Sequence, residues 1–154
     1  MLLWVALAPT LPLGSTSRSG SIRPISSADT ELQDRRLVAH EQMVTSLYKF
    51  VDTSREAETY LDAKTAVDAE VTAAYLDAWH DLNIVRAAAL IAGPKELSEC
   101  LNTTFENAAE YSNALDRWLA ANGKAQGYDR LRSAYRSSVN DYVDAVRNHL
   151  KLDE

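Results

Sequence analysis

The residues best suited to chemistry are the three histidines, His40, His80 and His149, and the acidic residues near them. A carboxylate-bridged dimetal bundle needs two Glu-x-x-His motifs and two further inward-facing glutamates. The sequence offers one approximate match, Asp77-Ala-Trp-His80, and neither other histidine has an acidic residue three positions earlier. A metal or enzymatic site near His40, Asp77 and His80 is therefore an alternative interpretation. His40 lies on an apolar helical stripe, which favours a hydrogen-bonded histidine of the core or its rim.

Other catalytic and cofactor motifs are missing from the 154-residue sequence. It contains no glycine-rich phosphate loop and no Gly-x-Ser-x-Gly elbow. Its single cysteine, Cys100, excludes an intramolecular disulfide and a cysteine-based zinc site. A free cysteine beside Leu97 and Leu101 on a helical face is typical of a buried thiol. The sequence therefore predicts no catalytic residue and no cofactor.

The charged residues suggest contacts rather than catalysis. The formal net charge is −6, which makes nucleic-acid binding unlikely, because such proteins present a basic face. Arg86 stands in a strongly apolar segment, where an unpaired charge is costly. We expect it to extend its charge to solvent or to pair with a carboxylate such as Glu41 or Glu106, and the alternative is an anion or a partner protein. A basic run opens the last helical segment and consists of Lys124, Arg130, Arg132 and Arg136. It either faces the acidic third helix or forms a patch for an acidic partner or a phospholipid headgroup.

The elements that must position these residues are helices. Between Pro24 and Gly93 the sequence has no glycine and no proline, the two strongest breakers of regular structure. Apolar residues recur at helical spacing throughout. We expect an all-α antiparallel four-helix bundle in residues 29–154, with helices near 29–62, 65–92, 94–122 and 127–151.

The helix ends are predicted from capping and breaking residues. Thr30 with Gln33 fits a capping box at the first helix. A single helix from residue 30 to 92 would be about 95 Å long, too long for the rest of the chain to cover. We therefore expect a break at 62–65 with Thr65 as the next cap, and the alternative is a break at 52–54. Gly93-Pro94 and Asn122-Gly123 separate the remaining helices.

Periodic apolar faces predict the core. The residues expected to be buried are Leu47, Val51, Leu82, Val85, Leu101, Ala108, Leu115, Leu131, Val139 and Val146. The second helix is apolar on two sides, with Tyr75, Trp79, Ile84 and Ile91 nearer its second face. That pattern predicts either a central helix or a second, partner-binding surface. The candidate interaction residues are Trp79, Arg86, Arg130, Arg132 and Arg136.

Residues 1–28 read as a flexible, apolar and then serine-rich N-terminal segment. The uninterrupted apolar run, Leu2 to Ala8, is too short to span a membrane by itself, and no basic region precedes it as in a secretory signal. Three interpretations remain open: a disordered tail, a poor signal sequence, or the stub of a longer membrane segment.

The second and third helices carry a family resemblance. The segments are AYLDAWHDLNIVR from Ala74 and GPKELSECL from Gly93, preceded by Arg35-Arg36 and Tyr48-x-Phe50. This layout, over about residues 35–122, resembles uncharacterised small bacterial alanine-rich helical-bundle proteins. Many of these carry an N-terminal membrane helix, but the resemblance implies no activity.

Together these features favour a non-enzymatic helical interaction or scaffold module, either free or tethered to a membrane, with a protein partner or self-association. The expected location is the cytoplasm or the cytoplasmic face of a membrane.

Overall fold

The computed structural model describes residues 26–150, which are almost entirely helical. The helices are α1 Ser27–Asp62, α2 Ala69–Ala92, α3 Lys95–Arg117 and α4 Tyr128–Leu150. Within this range there is no strand, which confirms the predicted all-α class. The chain divides into two compact units, residues 1–33 and 34–154. In the first unit only 26–33 are described, as the start of α1, while the second holds the bundle. The predictions for the N-terminal segment before residue 26 lie outside the described residues.

Helix α1 begins two residues earlier than predicted, and Ser26 caps it in place of Thr30. The Ser26 Oγ atom accepts a hydrogen bond from the backbone N–H of Asp29 at 3.1 Å, the pairing that defines an N-cap. Thr30 instead lies inside the first turn, where its hydroxyl donates to the Ser26 carbonyl. The Thr30–Gln33 capping box was therefore the wrong choice.

The break between α1 and α2 lies where it was predicted, but α2 starts at Ala69, so Thr65 was wrong as its cap. Thr65 closes α1 instead: its N–H and its hydroxyl both donate to the Tyr60 carbonyl, at 3.0 and 3.2 Å. The Lys64 N–H donates to the Leu61 carbonyl, and Lys64 has φ +55°. This is a Schellman closure. The alternative break at 52–54 is also wrong, because α1 continues unbroken through it.

The other two connections begin as expected. Gly93, with φ +57°, separates α2 from α3. The α-helical part of α3 ends at Arg117, five residues before the predicted end, and a wider π-type turn continues to Asn122. Ala121 in that turn has φ +66°, a conformation that ends the helix and starts the loop to α4.

Contacts within residues 34–150 show that helices packed side by side run antiparallel. Between α1 and α4, Tyr142 contacts His40, the Tyr135 hydroxyl donates to the Leu47 carbonyl, and Tyr128 contacts Glu58. Residue numbers thus rise along α1 as they fall along α4, so the two helices are antiparallel. The same reversal relates α1 to α2, α2 to α3, and α3 to α4. The predicted antiparallel four-helix bundle is thus confirmed.

The centre of the bundle is aromatic. The Phe50 ring on α1 contacts rings from all three other helices, at centroid distances of 5.2 to 6.2 Å: Tyr75, Trp79, Tyr111 and Tyr135. Five tyrosines are almost completely buried: Tyr75, Tyr111, Tyr128, Tyr135 and Tyr142. Such large rings fill the interior and hold the helix axes apart. The α3 and α4 backbones approach most closely, and there the Thr104 hydroxyl reaches the Ser138 carbonyl at 3.0 Å.

Eight of the ten predicted core residues are buried, whereas Val85 and Leu131 are only partly buried. Val85 lies beside an open groove between α1 and α2. Leu131 lies between Tyr128 and Tyr135, whose rings take the central space against Tyr111. Within residues 26–150 no helix combines the length and the apolar content needed to cross a bilayer.

Candidate functional site

His40 is fully buried and joins three elements. Its Nε2 atom lies 3.0 Å from the Gly93 carbonyl oxygen, and its Nδ1 atom lies 2.7 Å from the Tyr142 hydroxyl. A carbonyl can only accept, so Nε2 carries the proton and Nδ1 of the neutral ring accepts from Tyr142. Burial lowers the pKa of His40, Arg36 lowers it further, and the Gly93 hydrogen bond opposes them. The predicted hydrogen-bonded core histidine is confirmed.

The alternative metal or enzymatic site is not assembled. Asp77 and His80 are exposed on α2, whereas His40 is buried with both ring nitrogens engaged. In the part of the chain that the structure describes, no three histidine, cysteine or acidic side chains are grouped to hold a metal ion. These three residues therefore do not form one site.

The most charged interior site surrounds Glu58 on α1, which is 3% exposed. Its Oε2 atom accepts from the Tyr128 hydroxyl at 2.8 Å and from Arg132 Nη1 at 3.2 Å, and its Oε1 atom accepts from Arg136 Nη2 at 3.0 Å. A buried carboxylate is tolerated only when it is paired and hydrogen-bonded in this way. The cluster fixes the end of α1 against α4.

Part of the predicted basic run is thus paired within the bundle. Arg132 and Arg136 pair with Glu58 on α1, whereas the two alternatives considered were the acidic third helix and an external acidic partner. Arg132 also pairs with Asp129, and Lys124 contacts the same carboxylate. Arg130 is exposed and makes no ion pair with any residue in 26–150.

Tyr111 borders the Glu58 cluster. Its hydroxyl is buried and has no hydrogen-bond partner of good geometry among the described residues. Burial is the main cause that raises the pKa of Tyr111 to about 12, and proximity to Glu58 acts in the same direction. The phenol therefore stays neutral and cannot act as a general base near neutral pH.

Arg86 does not pair with Glu41 or Glu106, so that expectation was wrong. Its guanidinium carbon lies 3.9 Å from the centroid of the Phe105 ring on α3, a cation–π arrangement. Its Nε atom is buried without a hydrogen-bond partner in the described region. The aromatic face replaces the carboxylate that the sequence led us to expect.

The four apolar residues on the second face of α2 are divided between the core and the surface. Tyr75 is fully buried, and its hydroxyl contacts Ser112 and the Asp116 carboxylate on α3. Trp79 is half-buried, with its ring between those of Phe50 and Phe105. Tyr75 and most of Trp79 belong to the core, whereas Ile84 and Ile91 are exposed, at 61% and 85%.

An open groove with a volume of about 560 Å³ runs between α1 and α2. Val38 on α1 and Ile84 on α2 are both at least half exposed on its walls. Glu41 and Asp81 also line it, and no lysine or arginine does. We call this feature the α1–α2 groove. Its lining residues are Val38, Glu41, Gln42, Thr45, Ser46, Asp81, Ile84 and Val85.

Two features of the interior were missed from the sequence. Glu58 directly follows the buried Ala57 in α1. Its position beside the apolar face of α1 was only a weak signal that the glutamate side chain is buried. Phe50 was placed on the α1 stripe, but its contact with all three partner helices depends on how they pack.

No family model, curated protein or solved structure matches this chain.

Proposed function

We propose that this protein is a non-enzymatic helical interaction module whose α1–α2 groove binds an amphipathic partner helix with apolar and basic residues. The observation that carries the proposal is the exposure of Val38 and Ile84, at 50% and 61%, on the two walls of one groove. Helix-in-groove binding uses such walls to hold anchors spaced at i, i+3, i+4 and i+7.

The charge of the groove selects the partner. Glu41 and Asp81 are its charged lining residues, and Lys49 pairs with Asp81 at 3.1 Å. Glu41 has no ion-pair partner among residues 26–150, so it can receive a cation. Two copies meeting groove to groove would bring like charges together, which is costly. A basic and apolar helix fits better.

The resemblance and the apolar residues 1–13 extend the proposal to a bacterial protein in the cytoplasm or at the cytoplasmic face of a membrane. Fractionation of cells that express the full chain tests this part. Recovery in the culture medium or periplasm would contradict it.

A pair of designed helical peptides tests the groove. One carries leucine at the four anchor positions and lysine beside them, and the other replaces every lysine by glutamate. By fluorescence anisotropy we expect only the basic peptide to bind. Ile84→Ser and Glu41→Lys should each weaken binding at least about tenfold, the equivalent of about 1.4 kcal/mol.

Matched controls separate groove binding from general charge attraction. Leu76→Ser removes an exposed apolar residue of α2 outside the groove lining, and Glu110→Lys reverses an exposed charge on α3. Neither should change the affinity by more than about twofold, which is within about 0.4 kcal/mol. Equal loss from Glu41→Lys and Glu110→Lys would refute the groove as the binding site.

A further inference from the structure

The link between α1 and α2 is closed by an unusual residue. A Schellman closure places its C′ residue in the left-handed region, where glycine is usual because it has no Cβ. Here that residue is Lys64, with φ +55°. The fold-back of α1 onto α2 therefore imposes a backbone conformation that lysine disfavours.

Helix α2 also begins without a side-chain cap. Asp68 occupies the N-cap position but makes no capping hydrogen bond, because its carboxylate accepts from the Tyr60 hydroxyl at 2.9 Å. The first backbone N–H groups of α2 thus lack the side-chain acceptor that such a residue commonly supplies. A continuous helix would give them backbone carbonyls instead.

The sequence of the link does not forbid that continuous helix. Residues 63–68 are Ala-Lys-Thr-Ala-Val-Asp, and no glycine or proline occurs from residue 25 to 92. Alanine and lysine are good helix formers, and none of the others excludes a helix interior. The local sequence of the link therefore allows the straight form as well as the bent one.

A straight link would separate α1 from its own bundle. The contacts that α1 would leave are the Phe50 ring contacts, the His40 hydrogen bonds and the Glu58 ion pairs. Each is a specific contact to α2, α3, α4 or the Gly93 loop. The α1 helix of a second copy can restore every one of them.

We propose that this protein forms a domain-swapped dimer, in which the link at 63–68 straightens and α1 of each copy packs into the bundle of the other. The partner is thus a second copy of this chain. Exchange of an identical element needs no new interface beyond the straightened link. The proposal is independent of the proposed function, because each exchanged bundle keeps an α1–α2 groove built from two chains.

The first test changes the link alone. Lys64→Gly removes the Cβ from the left-handed residue and places a poor helix former in the straight form, so both effects favour the bent link. We expect the dimer association constant to fall about tenfold for each link, or roughly a hundredfold in total. The matched control is Ala121→Gly, which relieves the other positive φ, at the end of α3, and should leave association unchanged. Sedimentation equilibrium of the full chain, refolded at high concentration, measures both.

A distance measurement identifies the swap directly. Spin labels at Gln42 and Ile84, in a Cys100→Ala background, lie across the same groove in the bent form, where packed helices are about 10 Å apart. In the swapped dimer they are separated within one chain by 42 residues of helix, or about 63 Å. Labelled chain refolded with excess unlabelled chain reports only this intrachain distance.

Three results would overturn the proposal. The first is a protein that stays monomeric at high concentration after refolding. The second is a dimer that is insensitive to Lys64→Gly. The third is a dimer fraction in which the intrachain labels remain close together.

Discussion

At the scale of single residues, His40 should make folding stability depend on pH. Burial and Arg36 lower its pKa in the folded state, so the unfolded chain binds the proton more readily. Stability is then fully present above the ordinary histidine pKa near 6.5 and falls as the pH drops below it. Protonation also gives Nδ1 a hydrogen directed at Tyr142, whose hydroxyl must turn to accept it.

Urea unfolding between pH 7.5 and 5 measures this effect. We expect a slope approaching about 1.4 kcal/mol per pH unit at the acid end of this range from His40 alone. His40→Gln should be less stable at pH 7.5 and should lose most of the slope. The exposed His80 provides the control, because His80→Gln should keep the slope. If both variants behave alike, the acid sensitivity arises elsewhere.

The buried charge of Glu58 leads to a second prediction at this scale. Glu58→Gln removes the counter-charge of Arg136, leaves Arg132 only its ion pair with the exposed Asp129, and weakens the acceptor of the Tyr128 hydroxyl. Breaking a buried pair costs about 3–5 kcal/mol. Because both arginines remain about 30% exposed, we expect a smaller loss than for a fully buried pair, about 2–3 kcal/mol.

The exposed carboxylate that also pairs with Arg132 supplies the comparison. Asp129 is 65% exposed, and Asp129→Asn removes its ion pairs with Arg132 at 3.0 Å and with Lys124 at 3.1 Å. Surface pairs contribute about 1 kcal/mol or less each. Chemical denaturation of both variants should therefore rank Glu58→Gln well above Asp129→Asn in cost. Equal costs would mean that the network stabilises no more than a surface pair.

At the scale of helices, the sequence predicted more about where elements lie than about how they end. Apolar spacing and the positions of glycine and proline identified all four helices. The missed ends depend on local competition: Ser26 and Thr30 can both cap α1, and Thr65 can either start α2 or close α1. The closure through Lys64 was not predictable, because sequence rules expect glycine or asparagine there.

The seam of α3 supports a prediction for one helix. Leu115 is completely buried, so Leu115→Ala should cost about 2–5 kcal/mol, the range for this change in a packed core. Ile91→Ala changes a side chain that is 85% exposed and should stay within about 0.5 kcal/mol. Urea midpoints at constant m-value give both numbers. A small loss at Leu115 would show that the α3 seam is loosely packed.

At the scale of the whole molecule, the four helices share one aromatic centre, and this is where sequence reasoning was weakest. Periodicity places a residue on a face, but which faces meet follows from the packing of all four helices. Tyr75 was placed on the second face of α2, which was left open as core or partner surface, and it is buried, while the Arg86 guanidinium lies over the Phe105 ring and not beside a carboxylate. The candidate groove depends in the same way on the spacing that large rings impose between α1 and α2.

Phe50 is the residue through which this centre can be tested. Because its ring contacts α2, α3 and α4 together, Phe50→Ala should cost about 3–5 kcal/mol and should weaken the whole bundle at once. In a Trp4→Phe background the fluorescence comes from Trp79 and Trp118, while far-UV circular dichroism follows all the helices. We expect the two unfolding curves to coincide in both the parent protein and the Phe50→Ala variant, the signature of a single cooperative transition. Phe105→Ala is the comparison: among the described residues its ring has one aromatic partner, Trp79, and one cationic partner, Arg86. It is 8% exposed whereas Phe50 is completely buried, so its cost should be smaller. Curves that separate in Phe50→Ala would mean that part of the bundle unfolds by itself and that the core is not one cooperative unit.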